Sequence, residues 1–131
     1  METELICIDT SILIDFYRKK DKTKSFFYGL TKTYNLFAIS VITEYEILIG
    51  DEPAKDNFWE LFLDRVTILP FDRIANQAAV KIFRQLKADN KLIEIPDILI
   101  GATAVVNNLK MATLNKKHFE RIKGLAIIGK S

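Results

Sequence analysis

Cysteine and histidine are scarce in this chain, and their scarcity limits both its covalent and its metal chemistry. Among 131 residues there is one cysteine, Cys7, and one histidine, His118. A single cysteine cannot form an internal disulfide, and Cys7 lies within an apolar run where a buried, unreactive thiol is expected. Because zinc sites usually need roughly three or four thiolate or imidazole ligands, any metal is expected to be a hard cation held by carboxylates.

Long apolar runs and a strong excess of charge are also absent. No run approaches the roughly 18 apolar residues of a membrane-spanning helix, and the N-terminal sequence METE lacks the basic start of a signal peptide. We therefore expect a cytoplasmic protein without a membrane partner. The formal net charge is +2, so bulk charge does not require a nucleic-acid partner, although a local basic cluster can still support one.

The sequence does contain a regular alternation of strand and helix patterns. Short apolar runs predict strands at residues 5–8, 36–40, 66–69, 111–113 and 125–128. Helical patterns lie between them, and no repeat or linker divides the chain. This alternation predicts an α/β fold with helices on both faces of a mainly parallel sheet of four to five strands, in a single domain over residues 1–131.

The first predicted strand ends in a carboxylate, Asp9. In open parallel sheets, ligands bind just outside the carboxyl ends of the strands, so Asp9 lies where chemistry is common. Thr10 and Ser11 are expected to cap the helix that follows. An isolated Asp9 could also be a simple helix cap, so its role depends on whether other carboxylates reach the same edge.

Two further carboxylates have reasons to reach that edge. Glu46 lies on an otherwise apolar face of the helix predicted at residues 40–50, where an unpaired carboxylate is costly. Glu44 is about 200° away around the same helix and cannot share a site with it. Asp97 lies in the first turn of a later helix, at the positive end of its macrodipole. Asp72, by contrast, is predicted to cap the longest helix.

Carboxylates that meet at one edge repel one another unless a cation lies between them. Mg²⁺ and Mn²⁺ take oxygen ligands and are commonly bound by a few carboxylates together with water and substrate phosphate. Such a site can activate water for phosphodiester hydrolysis. The pattern of Asp9, Glu46 and Asp97 therefore predicts the chemistry of a nuclease.

Four segments resemble the successive signatures of PIN-domain proteins, and more closely those of the VapC toxins of bacterial toxin–antitoxin pairs. They are DTS at 9–11, SVITEYEILIG at 40–50, PDILIGATA at 96–104 and TLNKKHFERIKGL at 113–125. Because they follow the family's order and spacing over nearly the whole chain, the resemblance is specific. It implies a three-layer α/β/α PIN-like fold and a metal-dependent endoribonuclease that commonly forms a homodimer and is neutralised by a VapB-like antitoxin.

The resemblance also assigns residues to roles. The family's first three acidic positions match Asp9, Glu46 and Asp97, which implies that they hold Mg²⁺ or Mn²⁺ directly or through water. The fourth position, eighteen residues after Asp97, is aspartate in many members and Asn115 here. Since an amide contributes no negative charge, a second metal should bind less tightly. Asn115 and Thr113 are expected to orient a water molecule.

Basic and aromatic residues suggest where macromolecules bind. A candidate phosphate-contacting patch consists of Lys116, Lys117, Arg121 and Lys123. The basic run at residues 18–24 could also hold a phosphate backbone, and a solvated surface is the alternative for both groups. The apolar helical regions are interpreted as core, as a dimer surface or as the place where an antitoxin docks. Their candidate docking residues are Phe26, Phe27, Phe58 and Trp59.

Two other functions remain open on the sequence. The neutral Asn115 is compatible with a non-catalytic RNA-binding or regulatory module of the same fold. A receiver-like phosphoacceptor domain also carries an aspartate at a strand end, but the late strand of this chain lacks the lysine that such domains need.

Overall fold

Strands and helices alternate along the chain. The structure, a computed structural model, describes residues 2–52 and 54–129. Its strands are β1 (Glu2–Ile8), β2 (Tyr34–Ser40), β3 (Thr67–Leu69), β4 (Met111–Thr113) and β5 (Ile127–Gly129). Its helices are α1 (Thr10–Arg18), α2 (Phe26–Thr31), α3 (Val41–Ile49), α4 (Phe58–Leu63), α5 (Arg73–Ala88), α6 (Ile95–Val106) and α7 (Lys116–Phe119), with a 3-10 turn at Lys22–Lys24. Within the described ranges, no helix is long and apolar enough to cross a membrane.

The described strands form one parallel sheet in the order β3-β2-β1-β4-β5. The chain builds outward from β1 to β3 and then crosses to the other side of β1 for β4 and β5. In such a sheet the reversal leaves a crevice outside the carboxyl ends of the two central strands. Here that crevice lies after β1 and β4, so the residues following Ile8 and those around Thr113 flank it.

Helices cover both faces of the sheet, which confirms the predicted α/β fold of three layers. Along β1, Ile6 and Ile8 pack into an apolar cluster with α1, α2 and α4, whereas Cys7 packs into a second cluster with α5 and α6. Burial raises the pKa of the Cys7 thiol to about 12, and Asp9 adds to the effect. The prediction that Cys7 is buried is therefore confirmed, and its raised pKa favours an unreactive thiol.

The cluster on the α1, α2 and α4 side contains many interlocking aromatic rings. Trp59 is 3% exposed and stacks on Tyr17 with ring centroids 5.4 Å apart. Phe58 lies edge-on to Trp59 at 4.9 Å, and Phe27 lies edge-on to Phe16 at 5.0 Å. Trp59 therefore belongs to the core, and its inclusion in the predicted docking surface is wrong.

The cluster on the α5 and α6 side contains small residues that let α6 approach its neighbours closely. Ala102 and Ala104 of α6 are fully buried. A Cβ atom at Gly101 would collide with Cδ1 of Ile122, so a larger residue cannot be accommodated without a shift. This packing fixes the position of α6, whose first turn carries Asp97.

The predicted N-cap of helix α5 is confirmed, whereas the predicted N-caps of helix α1 are not. The Asp72 carboxylate accepts a hydrogen bond from the Ala75 amide at 3.0 Å, which confirms it as the cap of α5. The predicted caps at Thr10 and Ser11 are wrong, because α1 begins at Thr10 and Asp9 occupies the N-cap position. The two hydroxyls instead contact carboxylates at the sheet edge.

Candidate active site

Asp9, Glu46 and Asp97 line one open cleft at the carboxyl edge of the sheet. The cleft has a volume of about 780 Å³, and Asn115 also lies on its wall. Asp9 follows β1, Glu46 lies on α3, and Asp97 belongs to the first turn of α6. Side chains that are distant in sequence are thereby brought to the crevice where this strand order places ligands.

Asp9 is deeply buried, and its carboxylate is held by hydroxyl groups. It is 2% exposed, and its side chain forms no capping hydrogen bond with α1. Its Oδ1 accepts a hydrogen bond from the Ser11 hydroxyl at 2.6 Å, and its Oδ2 accepts one from Thr113 at 2.8 Å. Burial raises the pKa of Asp9 to about 6, the two hydroxyls and the nearby Ile12 amide oppose the rise, and Asp97 adds to it. A buried carboxylate that lines a cleft and has a raised pKa favours a functional role.

Glu46 accepts a hydrogen bond from a hydroxyl group of α1, which itself contacts a hydroxyl group of α3. The Thr10 hydroxyl donates a hydrogen bond to Glu46 Oε1 at 2.7 Å and lies 3.1 Å from Thr43 Oγ1. Thr43 is fully buried and precedes Glu46 by about one helical turn, so both side chains share a face of α3. Glu44 does not line the cleft, as its predicted orientation requires.

Asp97 is more exposed and has a potential cation beside it. Its side chain is 21% exposed, and its Oδ2 lies 3.8 Å from Nδ1 of His118. Burial raises the pKa of Asp97, a charged His118 lowers it, and Glu94 and Glu46 raise it further. Because Asp97 also raises the pKa of Asp9, the carboxylates are electrostatically coupled across the cleft.

Thr113 connects β4 to the cleft through two hydrogen bonds. Its hydroxyl donates to Asp9 and accepts from the Asn115 backbone amide at 2.8 Å. Thr113 is fully buried and does not line the cleft, so it holds Asp9 from the sheet side. Asn115 does line the cleft, and its side chain forms no capping hydrogen bond with α7. Its amide is therefore placed to meet water or a bound phosphate.

The donor chemistry of the cleft suits a hard divalent cation. Carboxylate and amide oxygens are typical ligands of Mg²⁺ and Mn²⁺, and each Asp9 oxygen retains a lone pair beyond its hydroxyl contact. Within residues 2–52 and 54–129, no three acidic, histidine or cysteine side chains are grouped closely enough to hold an ion. An ion bound here would therefore need water to complete its ligand set, as Mg²⁺ commonly does.

Comparison with known proteins places this chain in a family. Residues 6–125 match the family model described as PIN domain. The chain belongs to the PIN domain family. Ribonuclease VapC1 of Methanocaldococcus jannaschii is 36% identical over an alignment of 140 residues, gaps included. The alignment covers 98% of this PIN domain protein and 90% of the relative. Ribonuclease VapC of Rickettsia bellii is 33% identical over 94% of both chains.

Solved structures from toxin–antitoxin complexes share the fold of this PIN domain. VapBC2 from Rickettsia felis, bound to a DNA fragment from its promoter, has a TM-score of 0.81 and 24% identity, and the match covers 97% of this chain and 99% of that chain. A toxin–antitoxin complex from Klebsiella pneumoniae has a TM-score of 0.75 and 26% identity, with 94% and 95% covered. The predicted PIN-like fold is confirmed.

The cleft of this PIN domain is not lined by the predicted basic patch. The patch residues that lie outside the cleft wall are Lys116, Lys117, Arg121 and Lys123. Lys117 and Arg121 line a separate depression, where the Arg121 guanidinium donates to the Leu92 carbonyl at 3.2 Å. The cleft is lined instead by Arg18 and Lys19 from the end of α1.

Sequence reasoning missed several residues that the fold brings to the cleft. One of them carried a detectable signal: His118 follows Asn115 by three residues, so helical spacing places both side chains on the same wall of the cleft. The hydroxyls of Thr10 and Ser11 stood beside Asp9 in the sequence, but a local capping pattern explained them equally well.

Proposed function

We propose that this protein is a VapC-like endoribonuclease that hydrolyses RNA phosphodiester bonds with Mg²⁺ or Mn²⁺ at the cleft of Asp9, Glu46 and Asp97. The observation that carries the proposal is the convergence of these carboxylates at the reversal point of the sheet. It is supported by 36% identity to a protein named ribonuclease VapC1. We assign one PIN domain to residues 1–131 and its place of action to the cytoplasm.

Each cleft residue has a role that follows from its contacts. When bound, a divalent cation lowers the pKa of a coordinated water and offsets phosphate charge. Asp9, Glu46 and Asp97 provide the negative charge that holds the cation, directly or through water. The hydroxyl donors around Asp9 and Glu46 fix these carboxylates before binding, which reduces the ordering cost at the site. Asn115 donates or accepts a hydrogen bond at a water or phosphate oxygen.

Two protein partners follow from the family. Solved structures with this fold come from VapBC and other toxin–antitoxin complexes, so we propose that a VapB-like antitoxin neutralises the ribonuclease. We also propose a homodimer. Co-expression with the neighbouring reading frame, followed by size-exclusion chromatography with light scattering, would measure both assemblies.

Cleavage of cellular RNA in the presence of Mg²⁺ or Mn²⁺ tests the function. We expect fragments with the wild-type protein, none with EDTA, and a loss of about 100-fold or more with Asp9→Asn, Glu46→Gln or Asp97→Asn, since each removes a charge that holds the cation. Glu44→Gln is the matched control, because it neutralises a glutamate on the same helix outside the cleft and should leave the rate unchanged.

Two outcomes would contradict the proposal. Activity that survives Asp9→Asn or Asp97→Asn would show that the cleft is not the active site. A wild-type protein that binds RNA without cleaving it, and that binds no divalent cation by calorimetry, would instead support the non-catalytic RNA-binding or regulatory module that the neutral Asn115 leaves open.

A further inference from the structure

The basic run at residues 18–24 contains one side chain that serves the fold, two that face the cleft and two that are exposed outside it. Lys22 serves the fold. Its Nζ donates hydrogen bonds to the carbonyl oxygens of Phe16 and Tyr17 at 2.7 Å and of Lys19 at 2.9 Å. It also lies 5.5 Å from the centre of the Phe58 ring. Lys22 thereby satisfies the last carbonyls of α1 and fixes where this helix ends.

Arg18 and Lys19 face the cleft that contains the carboxylates. In the part of the chain that the structure describes, Arg18 forms no ion pair. Lys19 lies 3.5 Å from Asp15, but the two side chains are 46% and 20% exposed. Such exposed pairs are weak, so Lys19 can exchange its partner for a phosphate.

The helix α1 sets the distance between these cations and the carboxylates. It starts directly after Asp9 and ends at Arg18, and its rise of about 1.5 Å per residue separates the two ends by about 13 Å. A strand whose phosphate reaches the carboxylates can therefore place another phosphate of the same strand beside Arg18. Because Asp15 and Glu94 add negative charge to the cleft wall, a polyanion needs a cation there to remain bound.

The surface beyond Arg18 continues into a second groove. Arg18 lines this groove together with Asn57 and Leu61, and its volume is about 610 Å³. The acidic residue of the groove, Asp56, accepts hydrogen bonds from the Tyr17 hydroxyl at 2.9 Å and from a backbone amide at 3.1 Å. Both carboxylate oxygens are thus already engaged, and Arg18 stands where the two grooves meet.

We propose that Arg18, assisted by Lys19, binds a backbone phosphate of the RNA strand whose scissile phosphate lies at Asp9, Glu46 and Asp97. This inference rests on the proposed ribonuclease function. The guanidinium fork matches two phosphate oxygens, and a contact of this kind positions a strand without reading its bases. The bound strand then runs from the carboxylates along α1 towards α4.

A pair of matched double variants tests the inference. Arg18→Gln with Lys19→Gln removes two charges from the cleft, whereas Lys20→Gln with Lys24→Gln removes two exposed charges of the same segment outside it. Each pair is made in an Asp97→Asn background that prevents cleavage. Binding of a fluorescein-labelled, mixed-sequence single-stranded RNA is then followed by fluorescence anisotropy over a range of salt concentrations.

We expect the cleft pair to weaken RNA binding about 5- to 20-fold and to reduce the salt slope by about 0.7 for each phosphate that is no longer neutralised. The control pair should change the affinity less than about twofold. With Asp97 restored, the cleft pair should raise KM by a similar factor and leave kcat within about twofold, because the phosphate is held equally before and during the reaction. Arg18→Lys should recover part of the affinity, and circular dichroism checks that every variant is folded.

The outcomes separate this inference from the proposed function. Wild-type protein that cleaves RNA, together with a cleft pair indistinguishable from the control pair in affinity and salt slope, would overturn the inference alone. Unchanged RNA binding with abolished co-purification of the antitoxin would also overturn it and assign Arg18 to a protein partner. Wild-type protein that cleaves no RNA would instead overturn the proposed function on which the inference rests.

Discussion

Asp9 and Asp97 line the same cleft, but the fold holds them there by different means. Asp9 is 2% exposed and is held on both oxygens by hydroxyl donors from α1 and β4. Asp97 has a side chain that is 21% exposed and lies 3.8 Å from His118. One carboxylate is fixed by direct hydrogen bonds, and the other depends on how α6 packs against its neighbours.

This difference shows how stability and function are divided within the cleft. A carboxylate such as Asp9 is costly when it is ionised in a buried site, even though its hydroxyl partners reduce that cost. Asp97 incurs less of this cost because solvent and a nearby imidazole offset its charge. The metal-free protein should therefore be destabilised mainly by Asp9, and substitutions at the two residues should separate stability from activity.

The largest expected effect is a pH dependence of the free energy of unfolding that is caused by the titration of Asp9. The pKa of Asp9 is raised from 3.8 to about 6 in the folded state. In EDTA, the free energy of unfolding should fall by about 3 kcal/mol as the pH rises through this interval, because the unfolded chain releases the proton first. Above about pH 7 the loss should be constant. Urea denaturation between about pH 3 and pH 8 measures it.

Asp9→Asn should remove most of this pH dependence and be more stable than the wild type at pH 7, although it should be inactive. Asp97→Asn should be equally inactive with a smaller change in stability, since its side chain is partly exposed. Equal pH dependence in the wild type and in Asp9→Asn would contradict the contrast between the two residues.

The next largest effect is expected from a substitution at Gly101. This residue lies in α6, the helix that carries Asp97, so the substitution should affect Asp97 and not Asp9. Gly101→Ala introduces a methyl group against the terminal Cδ1 of buried Ile122, so Ile122 has to turn away in a packed core and we expect a loss of about 1–3 kcal/mol. Gly29→Ala is the control, because a Cβ there meets no heavy atom within 4 Å and alanine favours the helix. Thermal unfolding measures both, and equal melting temperatures would contradict the close packing of α6.

A smaller effect is expected when Asp9 loses one of its hydroxyl donors. Thr113→Val removes the hydrogen bonds to Asp9 and from the Asn115 amide, so we expect a loss of about 1–2 kcal/mol at pH 7 and about tenfold in activity. Thr103→Val is the matched control, because its buried hydroxyl bonds only within α6, to the Leu99 carbonyl. Activity equal in the two variants would show that Thr113 does not position Asp9.

The smallest effect is expected from substitution of His118, which lies beside Asp97. A charged His118 lowers the pKa of Asp97, so His118→Ala should raise that pKa and shift the acidic limb of the pH–rate profile to higher pH. The rate near pH 6 should fall by up to about fivefold, as expected for an exposed pair. His118→Gln should behave like His118→Ala, and an unshifted acidic limb would exclude this electrostatic contact.

Features that depend on local pattern could be predicted from the sequence. The alternation of strands and helices predicted the parallel sheet, and the Asp72 cap followed from its position before a helix. The meeting of Asp9 and Asp97 followed from a strand end and a helix start that share one edge of the sheet. Such inferences succeed because sheet geometry places all carboxyl ends of parallel strands together.

Features that depend on packing could not be predicted in this way. A wide apolar face around Trp59 fits either core or surface, and its burial depends on Tyr17, which is distant in sequence. Thr10 and Ser11 fit a cap in the sequence. In the fold they bond instead to residues distant in sequence: Thr10 to Glu46 of α3, and Ser11 to the amide of Leu114, which follows β4. The basic residues of the cleft wall depend on where α1 ends, which Lys22 determines through hydrogen bonds that no short motif encodes.

The hydrogen bond from Thr113 to Asp9 joins positions that are 104 residues apart. During translation, β2 is available to β1 early, but the opposite edge of β1 stays open until β4 has been made. At about 5–20 residues per second, Asp9 waits roughly 5–20 s on the ribosome for its partner hydroxyl. An incomplete nascent chain therefore carries the first carboxylate without its support, and the cleft can assemble only after most of the protein has been synthesised.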